Sequence, residues 1–291
     1  MRQVKCNTTL FAVVVLLSGC GASEPSPGPS PGPSPGAPSG PPAGVSVTLG
    51  QWRSDEPAHR LQVAVRNTRD TPVYFADVQL VTPSFRTVPA SRAGAAIGRT
   101  ERTDLPIPYG AANCSPDGLP KLRPATVVAH LRTGSEPLRR VAFELPHPDP
   151  LLARLLRDEC SEFLIKQAVS IAFGQEWKES GRVMRGDLVV TRRGPGTVTL
   201  ATMGGTTHYN VAYDGRRLGL LRAAEQRLEV PIELTPARCD GHAFGEAKKA
   251  FQFPVRARID GGEERVVVVA PPKALRDRLI GYAFRACGFG R

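Results

Sequence analysis

The chain has 291 residues and a formal net charge of +11, with 41% hydrophobic, 6% aromatic and 22% charged residues, 28 Pro and 29 Gly. That apolar content excludes a fully disordered chain, and the prolines exclude a coiled coil. The longest apolar run, Leu10–Leu17, is far shorter than a bilayer requires, which excludes a multi-span membrane protein.

The chain opens with Arg2 and Lys5, an apolar stretch Thr9–Leu17, and then Leu17-Ser18-Gly19-Cys20. Basic start, apolar middle and small-residue end are the three parts of a secretory signal. The last four residues resemble the lipobox of bacterial lipoproteins. That resemblance implies that residues 1–19 are removed and that Cys20 becomes the lipidated first residue. It places the protein on the extracytoplasmic face of the cell membrane, anchored by acyl chains. Residues 21–44 hold nine prolines in 24 positions and no apolar side chain larger than alanine or proline. Residues 20–44 are therefore expected to form an extended tether with nothing to pack, reaching on the order of 70 Å. The Gly28-Pro29-Ser30-Pro31-Gly32 match to a nucleophile elbow is dismissed, because the elbow needs a strand before it and a helix after it. Arginine outnumbers lysine 31 to 7. With the lipobox, that bias points to an actinobacterial source.

Beyond the tether the chain reads as two copies, 45–165 and 166–291. Val45-Ser46-Val47-Thr48-Leu49-Gly50-Gln51 matches Val169-Ser170-Ile171-Ala172-Phe173-Gly174-Gln175 at an offset of 124. Leu105-Pro106-Ile107 before Cys114 matches Val230-Pro231-Ile232 before Cys239 at an offset of 125, and Cys160 matches Cys287 at 127. Alternation in Val45–Leu49, Leu61–Val65 and Val255–Ile259 predicts half-buried strands. A hairpin is expected in each copy. The first runs from Ala125–Arg132 through Thr133-Gly134 to Leu138–Leu145, and the second from Phe253–Ile259 through Asp260-Gly261-Gly262 to Arg265–Ala270.

A short amphipathic helix is expected to close each copy. Asp149 and Pro150 open the first, followed by Leu151, Leu152, Leu155 and Leu156. Pro271-Pro272 precedes the second, whose stripe is Leu275, Leu279, Ile280 and Ala283. Both stripes are expected to pack on the parent sheet. With Cys6 cleaved and Cys20 lipidated, four cysteines remain and allow three pairings. The repeat selects Cys114–Cys160 and Cys239–Cys287, one bridge per copy, in an oxidising compartment. The expected fold is mainly β: tandem immunoglobulin-like β-sandwiches, each with one disulfide and one short C-terminal helix.

Catalytic signatures are absent from the sequence. No two of His59, His130, His147, His208 and His242 lie within ten residues, so no local metal-ligand pair exists. His208 and His130 fall on the polar sides of their strands and are expected to face solvent. No S-x-x-K, P-loop or dinucleotide fingerprint occurs, and no thiol is left as a nucleophile once both bridges form. No cofactor is expected, and nothing marks an enzyme.

The densest local signature is Cys239-Asp240-Gly241-His242-Ala243-Phe244-Gly245-Glu246 with Lys248-Lys249 after it. It resembles a segment of uncharacterised actinobacterial secreted proteins and lipoproteins, over roughly Pro231 to Gly288, with Gly241 in place of proline. Those proteins have no assigned activity, so the resemblance implies placement and no mechanism. Asp240 is suited to capping a short helix, on which His242 and Glu246, four apart, would share one face. Copy 45–165 carries net charge +2 and copy 166–291 carries +8. Arg256 and Arg258 share one strand face of the basic copy. Asp240, His242, Glu246, Arg256 and Arg258 are therefore the candidate ligand-binding residues. The expected partners are the membrane, through Cys20, and an envelope protein or anionic envelope polymer; nucleic acid is not expected outside the cell. The alternatives are a spacer lipoprotein without a ligand and an enzyme whose site the sequence does not mark. A cleft of convergent polar groups would favour the enzyme, and an apolar patch rimmed by charge the binding module.

Overall fold

The valine-rich alternating segments form strands. The computed structural model describes residues 38–246 and 249–289. The signal segment, most of the tether and Cys20 lie outside the described residues. β1 (Val45–Gly50), β2 (Arg60–Asn67) and β5 (Thr100–Pro108) form one antiparallel sheet in the order β1-β2-β5. β3 (Val73–Val81), β4 (Ser91–Ile97), β6 (Thr126–Thr133) and β7 (Arg139–Glu144) form a second, in the order β4-β3-β6-β7. Both sheets contribute to one core, which includes Val63, Phe75, Ile107, Leu131 and Phe143.

α1 (Pro150–Ala168) follows. Next come β8 (Val169–Ser180), β9 (Val183–Arg192), β10 (Val198–Met203), β11 (Tyr209–Ala212), β12 (Gly219–Leu221) and β13 (Arg227–Pro236). α2 (Gly241–Glu246), β14 (Phe253–Ile259), β15 (Arg265–Val269) and α3 (Lys273–Ala286) complete the chain. The sheet orders are β11-β13-β9-β8 and β12-β10-β14-β15. Taken in chain order, β8-β9-β13 repeats β1-β2-β5, and β12-β10-β14-β15 repeats β4-β3-β6-β7. β11 is the additional strand. Both later sheets feed a second core, with Leu188, Val190, Leu200, Ile232 and Phe253.

Both expected hairpins form, β6–β7 and β14–β15. Gly134 (φ 56°), Asp260 (φ 49°) and Gly261 (φ 72°) take the left-handed conformations these turns need. Asp260 is held there by its carboxylate, which accepts from the Thr197 N–H at 2.7 Å. The two disulfides join Cys114 to Cys160 and Cys239 to Cys287, with Cα–Cα distances of 5.2 Å in both. Asp149 caps α1, accepting from the Leu152 N–H at 2.9 Å, with Pro150 in the first turn.

Five details differ from the sequence reading, each for a packing reason. The last tether residues do pack: Pro42 is buried, and Ser39 forms a parallel bridge to Val141 at the β7 edge. The Ser39 N–H donates to the Arg140 carbonyl at 2.9 Å, so this segment supplies the hydrogen bonds that an edge strand leaves open. β2 is buried on both faces from Leu61 to Val65, because the 3-10 turn at Glu56–Ala58 and buried Asp55 cover its outer side. Gln62 there donates to Asp55 at 2.8 Å. α1 runs through Ala168 and passes without a linker into β8. Leu152, Leu155 and Leu156 belong to the first core, Ile165 and Ala168 to the second, so α1 packs on more than its parent sheet. His208 is buried, not solvent-facing: it precedes β11, and Phe244 and Phe251 enclose it. Ile280 is 37% exposed instead of joining the α3 core stripe, which is Leu275, Leu279, Tyr282 and Ala283. The extra aromatic Tyr282 takes the inward position, and its hydroxyl lies 3.0 Å from the Leu234 carbonyl and 2.7 Å from that of Arg182.

Candidate functional site

The Cys239–Cys287 bridge ties the start of α2 to the end of α3. With α2 fixed there, Phe244 comes to stack against Phe284 (ring centroids 4.9 Å), His208 (4.8 Å) and Phe289 (6.0 Å, edge-on). Phe284 and Phe289 are 6.1 Å apart. Phe284 is 40% exposed and Phe289 49%. Ile280, 37% exposed, lies one turn before Phe284 on α3.

Beside this face runs a groove of about 350 Å³ between α3 and the segment joining α2 to β14. Phe244, Phe251, His208 and Ile280 supply apolar and aromatic walls, and Arg276 and Lys249 supply charge. Arg276, Ile280 and Phe284 follow one another at four-residue steps, so they lie on successive turns along one side of α3. Lys249 is ion-paired with Glu56 of the first half. Arg276 has no ion-pair partner among the described residues.

The sequence candidates divide around this groove. Asp240 stands immediately before α2, where its main-chain carbonyl accepts from the Phe244 N–H at 3.4 Å, and its carboxylate pairs with Arg238 at 3.0 Å. His242 is exposed on α2. Glu246 ends α2, but its side chain lies outside the described residues, so a shared face with His242 is not part of the picture. Arg256 and Arg258 are exposed on one face of β14, as the alternation requires. Both reach Glu264, at 3.3 and 3.1 Å. Hydrogen bonds from Arg258 and then Arg256 hold that carboxyl below the usual carboxylate range. Two guanidiniums therefore serve one carboxylate, and neither lines the groove. The residues that build the groove, Phe244, Phe251, Arg276 and Ile280, were not among the candidates. Phe244 lay inside the Cys239–Glu246 signature, and Arg276 and Ile280 stand four apart on one side of α3, a side that shows only once Tyr282 is seen to face inward.

A second concavity, about 660 Å³, lies on the outer side of the β11-β13-β9-β8 sheet. An irregularity in β8 between Phe173 and Trp177 shapes it. Trp177 folds over Gly186, where a Cβ atom would fall 2.4 Å from the indole, and its ring N–H donates to the Gly174 carbonyl at 2.9 Å. The lining is charged: Arg185 pairs with Glu233 at 2.7 Å, and Glu176, Asp187 and Asp214 add carboxylates. Glu179, also in the lining, is held below its ordinary range by a hydrogen bond from Arg285. Among the described residues no group of three or more His, Cys, Asp or Glu side chains is arranged to hold a metal ion.

His130, expected on a polar face, is exposed and lies 2.9 Å from Asp77. In the first half, His59 stacks on Tyr109 (5.1 Å) and lies 3.9 Å from Glu159, whose other oxygen accepts from the Ala112 N–H at 2.8 Å. Burial, and then the charge of Glu159, push the Tyr109 hydroxyl up to about 12. No described helix is long and apolar enough to cross a membrane.

No known family matches the chain, and no curated protein matches it. Among solved structures it is similar to a protein of unknown function from Porphyromonas gingivalis W83. The identity is 15%, over 73% of this chain and 90% of that one, with a TM-score of 0.19. A likeness at that score carries no structural argument.

Proposed function

We propose that this chain is a lipid-anchored, extracytoplasmic binding module of a bacterial envelope, related to the actinobacterial lipoproteins that its Cys239–Glu246 segment resembles. It is built as two successive immunoglobulin-like sandwiches, and the second presents the binding face. The anchor rests on Leu17-Ser18-Gly19-Cys20 and the Pro-rich segment after it. The tandem reading is supported by the repeated strand order, one core per half and one disulfide per half. The observation that carries the function is the exposed aromatic face of Phe284, Phe289 and Ile280, with Arg276 at its end. Phenylalanine and arginine are both enriched at protein interfaces relative to the rest of the surface. The partner is an envelope component, protein or polymer, that is apolar where it touches this face and anionic at its rim.

The test is photocrosslinking in intact cells. A photoreactive residue replaces Phe289 in one strain and exposed Leu138 of the first half in another. The reading predicts a reproducible envelope product from position 289 that position 138 does not give. Identical products from both positions, or none above a strain expressing only residues 1–44, would overturn it. Separately, Cys20→Ala should release the protein from the membrane fraction; retention there would refute the anchor.

A further inference from the structure

β7 and β15 are equivalent edges of the two halves, each hydrogen-bonded on one side only within its sheet. Val141 of β7 lies opposite Ala129, and Val267 of β15 opposite Val255, in matching register. Arg140 and Ala142 therefore correspond to Val266 and Val268. In the first half an extended residue fills the edge. The Ser39 N–H donates to the Arg140 carbonyl at 2.9 Å, and the Ser39 carbonyl accepts from the Ala142 N–H at 3.0 Å. β15 turns the same two groups outward. On the far side of β14, the Pro254 carbonyl accepts from the Gly204 N–H at 2.8 Å, and the Asp260 N–H donates to the Thr197 carbonyl at 2.8 Å. Main-chain groups alternate between the two sides of a strand. Pro254 and Arg256 thus face β10, and their partners Val268 and Val266 face away from β14. Among the described residues no hydrogen bond reaches the Val266 carbonyl or the Val268 N–H. α1, which precedes β8 as Ser39 precedes β1, lies along this edge. A helix uses its main-chain groups internally and supplies no ladder to a strand. Toward Ile165 the space between α1 and β15 closes to about 90 Å³, and toward Arg157 it opens into a groove of about 400 Å³. Val266 and Val268 line the groove, 38% and 43% exposed. Arg265 lines it too, with its Nη1 buried and without an acceptor among the described residues.

We propose that the β15 edge binds an extended peptide segment of a partner protein, which adds to the sheet as Ser39 adds to β7. One residue of the segment donates its N–H to the Val266 carbonyl and accepts from the Val268 N–H. The entering chain also brings the carbonyl oxygens that a donor such as Arg265 Nη1 lacks. From Val266 to Val268 the strand spans about 7 Å, so about three residues of the segment lie along it. The central one is level with Val267 and shares its buried side, so it is small, as Ser39 is. Its two neighbours are level with Val266 and Val268 on the outward side, where β-branched side chains pack best against valine. The segment is therefore a small residue between two β-branched ones. Main-chain pairing supplies the affinity, and the alternating side chains supply the specificity. This site uses none of the residues of the aromatic face and does not depend on that reading.

The test pans a phage-displayed library of random nonapeptides against the purified full chain carrying Cys20→Ser. Enriched peptides are expected to share a small residue between two β-branched ones. Made synthetically, they should saturate at one peptide per chain in calorimetric titration. N-methylation of the small residue, which removes its N–H donor, should weaken binding by about tenfold or more. Val268→Pro should weaken it as much from the other side. It removes an N–H that the sheet does not use, a position where edge strands accept proline, and unchanged thermal unfolding verifies the fold. No enrichment, a consensus without this pattern, or equal binding after N-methylation would each overturn the proposal. So would equal binding to folded Val268→Pro; if that variant does not fold, the N-methylated peptide on the unaltered edge decides alone. Crosslinking from position 289 reports on the aromatic face, so the two readings fail separately.

Discussion

The two halves share a strand order and a disulfide, yet they use their closing helices differently. α1 buries one side along its length, with Leu152, Leu155 and Leu156 in the first core and Ile165 and Ala168 in the second. α3 buries only Leu275, Leu279, Tyr282 and Ala283, and leaves Ile280 and Phe284 in solvent. The surroundings of the two bridges differ in the same sense. Near Cys160, Glu159, His59 and Tyr109 form a polar plug. Near Cys287 the rings of Phe244, Phe284 and Phe289 meet in the open. In the first half the helix is consumed as the joint to the next half. In the second half only Phe244 of α2 packs on the equivalent face, and Ile280, Phe284 and Phe289 stay partly exposed.

Removing the first bridge is expected to have the largest effect. Cys114→Ala with Cys160→Ala opens a 46-residue separation and should cost about 4 kcal/mol in the chain-entropy model. The bridges themselves should differ in access, because Cys160 is buried and Cys239 exposed. Under mild reductant, alkylation followed by mass spectrometry should label Cys239 and Cys287 first. Simultaneous labelling of all four cysteines would break the contrast.

Next in size is a pair of truncations. Leu152→Ala empties a fully buried site and should cost about 3 kcal/mol in urea unfolding. Ile280→Ala, on the open face, should stay within about 0.5 kcal/mol. Comparable costs would mean that α3 is covered in solution.

A smaller effect is expected in alkali. Burial, and then the charge of Glu179, raise Tyr282 to about 12; burial and then Tyr282 raise Tyr209 further; Tyr109 is the one such group in the first half, also at about 12. Below the ordinary tyrosine pKa of about 10, folded and unfolded chains both keep these protons, so the stability is fully present. Between pH 10 and 12 the unfolded chain releases them while the folded chain holds them, and stability falls. Tyrosinate absorbance against pH should show the second half, with two such groups, opening before the first. Tyr109→Phe should remove the alkaline sensitivity of the first half only.

A modest effect, about 1 kcal/mol by thermal unfolding, is expected from Phe284→Ala with Phe289→Ala, which removes the ring contacts with Phe244. A large loss of stability would assign the aromatic face to the core and sharpen the comparison against a binding role.

Much of the frame was legible from local pattern. The β6–β7 and β14–β15 hairpins follow from alternation broken by Thr-Gly and Asp-Gly-Gly, and the α1 start follows from Asp149-Pro150. The disulfide pairing followed from the spacing of the copies. His208 and Ile280 were misread because alternation and helical spacing tell which residues share a side, not what stands opposite. His208 took the polar side of its strand and was covered by Phe244 and Phe251 from 36 and 43 residues away. Ile280 lost its inward place to Tyr282, whose hydroxyl needed the carbonyls of Arg182 and Leu234. Pro42 and Ser39 packed because β7 offered an open edge, which composition could not reveal.

The sequence by itself determined β1, β2, the two hairpins, the starts of α1 and α3 and which cysteines belong together, because each depends on residues near in the chain or on a repeated spacing. The tertiary structure alone decided which faces are covered. α1 became a joint because β14 and β15 meet it from the next half, and Ile280, Phe284 and Phe289 stay partly exposed because Phe244 of α2 covers only one side of the two rings. Burial is a relation between segments distant in sequence, so a surface for binding becomes visible only when every segment that could cover it has been placed.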